Sequence, residues 1–177
     1  MIYDDHEFDE KSFNRYDEKA NNLILRMINN SSLNLTAKRN RDKFGIDVLV
    51  YDSNRKCVVL VDGGVKKFWW YRKPFKEEFF HVEIRKRNKV MKSKIPILLV
   101  YFNTSFSHYI VVGKENLIGL RPEPCKNGQS FYNVKTKKCH DNLVEAISDT
   151  LRYEPQQDLM SFFHSHNTVS YQTGGVC

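Results

Sequence analysis

From Lys11 to Asn30 the apolar side chains Phe13, Tyr16, Ala20, Leu23, Ile24 and Met27 recur at intervals of three and four residues, the spacing that lines one face of an α-helix. The run Asn29-Asn30-Ser31-Ser32 ends it, because short polar side chains compete for the backbone hydrogen bonds a helix needs. After a polar, basic connection, Phe44 to Tyr51 and Cys57 to Lys66 are dense in aliphatic residues and predict two strands. Asp52-Ser53-Asn54-Arg55 between them reads as a turn short enough to make the pair an antiparallel hairpin. Downstream the pattern predicts a basic helix from His81 to Met91, strands from Ile97 to Asn103 and from Tyr109 to Val112, and a second amphipathic helix from Asp141 to Tyr153. Residues 156–177 read as a C-terminal extension or loose tail, and no repeat or low-complexity block interrupts the chain.

The α/β order in 177 residues fits one domain, residues 1–155, with a single core. The aromatic content of 13% with only 8 Gly and 5 Pro excludes collagen-like and wholly disordered chains. No apolar run approaches a membrane span, and the acidic start MIYDDHEFDE lacks the features of a signal peptide, so the default expectation is an intracellular protein without a membrane partner. Cys57, Cys125, Cys139 and Cys177 form no tight pair and read as reduced. Cys125 with Cys139-His140 would supply three zinc ligands, but no CxxC element or fourth ligand at a usual spacing accompanies them; His164 and His166 are too isolated to add one.

Charge changes the picture more than composition does. The formal net charge is +7, yet residues 66–94 hold 11 Lys or Arg against 3 acids, a net of +8, while residues 1–18 carry a net of −5. A solvated face explains most charge runs, but here Phe68, Trp69, Trp70, Tyr71, Phe75, Phe79 and Phe80 are interleaved with the basic residues, which favours a nucleic-acid partner.

The chemistry concentrates in the hairpin. Asp47 lies in an otherwise apolar strand, where an unpaired carboxylate is costly and calls for a cation. On the next strand, the two-residue period places Asp62, Gly64 and Lys66 on one face, and antiparallel pairing brings Asp47 within a residue or two of them, in a register the sequence leaves open. Carboxylates beside a lysine suit Mg²⁺ bound through oxygen and a water held near an ammonium, the requirements of phosphodiester hydrolysis.

At these residues the chain resembles the PD-(D/E)XK nuclease superfamily, whose pattern is an Asp on one strand and Glu-x-Lys on the next. Asp47 matches the Asp and Lys66 the Lys, and the flanking Asp42 to Asp47 and Phe68-Trp69 are similar to the variants written D-K-[FY]-G-[IV]-D and F-W. The resemblance covers roughly residues 11–112 and implies a restriction-endonuclease-like αβββαβ core with a mixed central sheet flanked by helices. It also implies a Mg²⁺-dependent endonuclease, with Mn²⁺ as the alternative ion and DNA the favoured substrate. Asp47, Gly64 and Lys66 would be the catalytic positions, and Asp47, position 64 and the Val65 carbonyl the metal ligands, joined by Glu18 from the first helix.

The departure is Gly64, which stands where the family has its Glu. Three accounts remain open: an inactivating substitution, replacement of the Glu by Asp62 with Gly63-Gly64 permitting close backbone approach, or a natural pseudo-nuclease that binds nucleic acid without cutting. Lys67, Arg72, Lys73, His81, Arg85, Arg87 and Lys89 are the expected nucleic-acid contacts, and Trp69, Trp70 and Tyr71 would stack on bases or pack in the core. Abundant Lys, Asn, Tyr and Phe suit an AT-rich viral or mobile-element genome, and double-strand cutting would call for a homodimer.

Overall fold

A computed structural model describes residues 10–41, 46–66, 77–124 and 130–153, with side chains from Tyr16 onward. Helix α1 runs Glu10–Asn29 and presents Ala20, Ile24 and Ile28, all fully buried, to the core. It stops where the polar run begins: the Ser31 hydroxyl donates to the Ile28 carbonyl at 2.7 Å. The Asn29 side chain then clips the next segment, accepting from the Ala37 N–H at 2.8 Å and donating to the Ala37 carbonyl at 3.2 Å. That clip seats strand β1, Thr36–Arg39, which the sequence reading left as a basic connection because only Ala37 among its four residues is buried.

Strands β2, Val48–Tyr51, and β3, Cys57–Val65, form the expected antiparallel hairpin. In its turn the Asp52 carboxylate accepts from the N–H groups of Asn54 and Lys56, each at 2.9 Å, and Arg55 takes a left-handed φ of 63°. The predicted strand from Phe44 begins at Val48 among the described residues; residues 42–45 lie outside them.

After β3 the structure corrects the sequence reading. The basic helix does not begin at His81: Phe79–Glu83 is strand β4, and helix α2 is Ile84–Lys92. Phe80 and Val82 alternate inward while Phe79 and His81 face outward, a two-residue period that the following run of basic residues obscured. Strands β5, Ile97–Phe102, and β6, Tyr109–Val112, fall where predicted. Strands β7, Glu123–Pro124, and β8, Ser130–Lys135, were not foreseen, and a 3₁₀ turn spans Thr136–Lys138. Residues 143–153 form helix α3, two residues shorter at its start than predicted. The expected tail lies outside the described residues, and no helix among those described is long and apolar enough to cross a membrane.

The main sheet has the order β1-β2-β3-β5-β6, with β3 and β5 parallel and its other pairs antiparallel. Helix α1, three strands, helix α2 and parallel strand β5 reproduce the αβββαβ order of a restriction-endonuclease-like core, with β4 diverted into a second sheet, β4-β8-β7. Every residue of β5 is buried because both faces are covered. On one face Val48, Val59, Val61, Leu98 and Val100 pack with α1 and with Leu143 and Ile147 of α3. On the other, Leu99 and Tyr101 pack with Phe80 and Val82 of β4, Val90 of α2 and Val134 of β8.

Gly63 and Gly64 play different parts in this arrangement. A Cβ on Gly63 would sit 2.9 Å from the Ile24 side chain and 3.0 Å from Asn21 Oδ1, so the missing side chain is what lets α1 close on the sheet. A Cβ on Gly64 would meet nothing nearer than Lys86 Nζ at 3.6 Å. Gly63→Ala should therefore lose about 1–3 kcal/mol of stability through overpacking, whereas Gly64→Ala should change it by less than about 1 kcal/mol. Urea-denaturation midpoints check both values, and equal losses would contradict the distinction.

Candidate active site

The register left open by the sequence is settled by the pairing of Val48 with Val61, which sets Asp47 opposite Asp62 where β2 begins. Asp47 Oδ2 accepts from the Gly63 N–H at 2.9 Å. Asp62 is the one charged residue that is buried among the described residues, and Lys86 Nζ reaches its Oδ1 at 3.5 Å from the first turn of α2. Burial, then the adjacent Asp62 charge, pushes the Asp47 carboxyl from the ordinary 3.8 up to about 7, against the opposing pull of the Gly63 N–H and Lys86.

Asp62, Gly64 and Lys66 occupy alternate positions of β3 and its extension, on the face away from α1. Beyond the strand end the Lys66 N–H donates to the Phe102 carbonyl at 2.9 Å, which anchors its backbone to β5. Its ammonium donates to Glu83 Oε1 and lies 4.5 Å from the centre of the Tyr101 ring and 5.4 Å from that of Phe80. The Tyr101 hydroxyl donates to the other Glu83 oxygen at 3.0 Å. Burial lowers the Lys66 pKa and Glu83 only partly restores it, so this lysine releases a proton more readily than an exposed one. Burial alone would raise Glu83, but the Lys66 charge and hydrogen bond outweigh it and hold the carboxyl below its usual range.

Asp47, Asp62, position 64 and Lys66 are thus brought together on one side of the sheet. Val65 pairs with Phe102 at the end of β3, and its side chain packs toward the opposite, α1-lined core. Glu18 is exposed on α1, which packs on the other face of the sheet, and its carboxylate pairs with Arg39 at 3.5 Å. Of the expected nucleic-acid contacts, His81 and Arg85 are exposed and Lys89 is half-buried. Arg87 is also half-buried, its guanidinium 5.0 Å from the Tyr132 ring centre, a packed position rather than an open one. Lys67, Arg72 and Lys73, with the tryptophans, lie outside the described residues. So does Cys125; Cys139 is a thiol pushed up to about 12 by burial and Glu115.

Glu83, Lys86 and Tyr101 escaped the sequence reading. Glu83 had a signal, being the one acid between Glu78 and Glu115 in a stretch crowded with bases. Lys86 had none that set it apart from its basic neighbours, and Tyr101 reads as an ordinary core aromatic.

The donor set suits a hard divalent cation. Two carboxylates share a half-buried site with one ammonium against them, and the Asp47 proton affinity reports how poorly that ammonium compensates the pair. Among the described residues no group of three or more Asp, Glu, His or Cys converges on a single point, so any such ion would rely on Asp47, Asp62 and non-side-chain oxygens.

No family model and no curated protein matches the chain. Among solved structures, the Holliday junction resolvase Hjc of Archaeoglobus fulgidus, an archaeal hyperthermophile, aligns over 72% of this chain and 90% of its own at 6% identity and a TM-score of 0.44. A nuclease from a fusselovirus aligns over 76% and 91% at 11% identity and a TM-score of 0.45. Overlaps of that size carry no weight for function, which is argued from the chain's own residues.

The raised Asp47 carboxyl has a consequence for stability. Between its ordinary 3.8 and about 7 the folded protein holds a proton that the unfolded chain has released, so stability should fall as pH rises through that window. In EDTA, Asp47→Asn should abolish most of this fall, measured as urea midpoints at about pH 4.5 and about pH 7.5. The same pH dependence in variant and wild type would contradict the assignment.

Proposed function

We propose that the chain is a metal-dependent nuclease that hydrolyses phosphodiester bonds of nucleic acid, with DNA the favoured substrate. The observation that carries the reading is the Asp47–Asp62 carboxylate pair on the same side of the β2–β3 hairpin as Lys66. Asp47 and Asp62 would hold Mg²⁺, or Mn²⁺ in its place, with Asp62 standing in for the carboxylate absent at Gly64. When bound, the ion would supply a Lewis acid for the phosphate and lower the pKa of an attacking water.

Lys66 would orient that water as an ammonium and, in the fraction that has given up its own proton, would accept the water's proton as a neutral amine, a fraction enlarged by the burial that lowers its pKa. As the water oxygen bonds to phosphorus and an ester P–O bond breaks, the same side chain would stabilise the charge growing on the phosphate. Glu83 and Tyr101 would keep the Lys66 ammonium in place between them. Arg85 and the basic segment would neutralise flanking phosphates and make binding salt-sensitive.

One observation favours the second reading, a nucleic-acid-binding pseudo-nuclease: Lys86 Nζ lies against Asp62 in the space a side chain at position 64 would enter. Under this reading the ammonium would take part of the role a metal ion has in the first, compensating Asp62 while Asp47 keeps a proton.

Plasmid nicking in Mg²⁺ separates the two. Under the nuclease reading the wild type nicks, and Asp47→Ala or Lys66→Ala each lowers the rate by about 10²-fold or more. Wild-type cleavage untouched by either substitution would reject their roles. A silent wild type that gains Mg²⁺-dependent nicking in Gly64→Glu would establish the pseudo-nuclease instead.

A further inference from the structure

We propose that the outer face of the small sheet is a stacking surface for unpaired bases, so that the substrate is single-stranded or locally unpaired nucleic acid. This rests on the nuclease reading and names its substrate class. The β4–β8 register sets Phe79 opposite Lys135, His81 opposite Asn133 and Glu83 opposite Phe131. The intervening residues Phe80, Val82, Tyr132 and Val134 are buried against the main sheet, so Phe79, His81, Phe131, Asn133 and Lys135 form the outer row, whereas Glu83 at the strand end turns its carboxylate inward to Lys66 and Tyr101. Polar residues are expected there, yet Phe79 is 36% exposed, and the His81 and Phe131 rings stand 6.1 Å apart at 50°.

The His81 ring is held rather than loose. The Asn133 side-chain NH₂ donates to Glu123 of β7, which turns its carbonyl oxygen toward His81 Nδ1. A carbonyl oxygen only accepts, so Nδ1 carries the proton and the imidazole plane is fixed. A fixed ring loses little freedom when a base settles on it.

Charge and position argue for a nucleic-acid strand as the occupant. Lys135 lies in the row itself, Lys137 and Lys138 follow it in the 3₁₀ turn, and exposed Arg85 opens α2 just past Glu83. The acids Glu77 and Glu78 precede Phe79, at the end away from the candidate site. At the other end Phe131 stands opposite Glu83, whose carboxylate holds Lys66 and Tyr101, so the aromatic row leads into the candidate site. Stacking on side chains requires a base with a free π-face, which duplex nucleic acid keeps within its own stack.

The test is fluorescence anisotropy in EDTA with a labelled oligonucleotide, offered single-stranded and as the matching duplex, against wild type and the double variant Phe79→Leu/Phe131→Leu. Leucine keeps apolar bulk and removes the aromatic face; matched urea midpoints verify the fold. The double variant should bind the single strand at least about fivefold more weakly, with duplex binding essentially unchanged. Unchanged single-strand affinity, or an equal loss on both ligands, would overturn the stacking surface while leaving the nuclease reading intact. So would sedimentation showing a wild-type dimer that the variant dissociates with no change in single-strand binding. A wild type that binds neither ligand at low salt would overturn the nuclease reading along with it.

Discussion

Asp47 and Asp62 face one another across the β2–β3 pairing, two carboxylates in a hairpin whose strands are mostly Val and Leu. Like charges directly opposite each other weaken a sheet, and burial deepens the penalty because little water is left to screen them. The surrounding structure is arranged around that cost. The Gly63 N–H is turned to Asp47, α2 carries Lys86 to Asp62, and Asp47 retains a proton until about pH 7. A pair of apolar residues at these positions would pack without any of these devices. A cation bound between these carboxylates would relieve that cost, which is the physical basis of the proposed metal site.

The second constraint ties the two sheets together. Lys66 at the end of β3 and Glu83 at the end of β4 belong to different layers, and their ion pair, completed by the Tyr101 hydroxyl from β5, closes the gap between them. Diverting β4 into the small sheet therefore both buries Phe80 against Tyr101, with rings 4.9 Å apart, and delivers the carboxylate that holds Lys66. Glu83 was not where the family pattern puts its acid, at position 64, but it shares the same side of the sheet.

The hairpin, α1 and the β5–β6 pair were legible because their apolar residues repeat at helical or strand periods over enough positions to stand out. β1 was not, since an edge strand with Ala37 as its one buried residue has no alternation to read. β4 was hidden by its sequel: His81 and Glu83 blend into the charged start of α2, and only Phe80 and Val82 reveal the strand. The site divides in the same way. Asp47, Asp62 and Lys66 lie on neighbouring strands of one hairpin, where spacing translates directly into proximity. Glu83, Lys86 and Tyr101 arrive through tertiary packing between elements, which no local pattern encodes. Glu18, on a different element again, is met by Arg39, a contact between α1 and β1 that spacing along the chain does not encode.

The most direct test of the central claim, that Asp47 and Asp62 form a cation site, is isothermal titration calorimetry of the metal-free protein with Mn²⁺ at about pH 7.5, repeated on Asp47→Asn and Asp62→Asn. The account predicts saturable binding by the wild type that each substitution abolishes or weakens by about tenfold or more. Wild-type binding that persists in both variants, or no binding at millimolar Mn²⁺ because Lys86 already satisfies the pair, would contradict it.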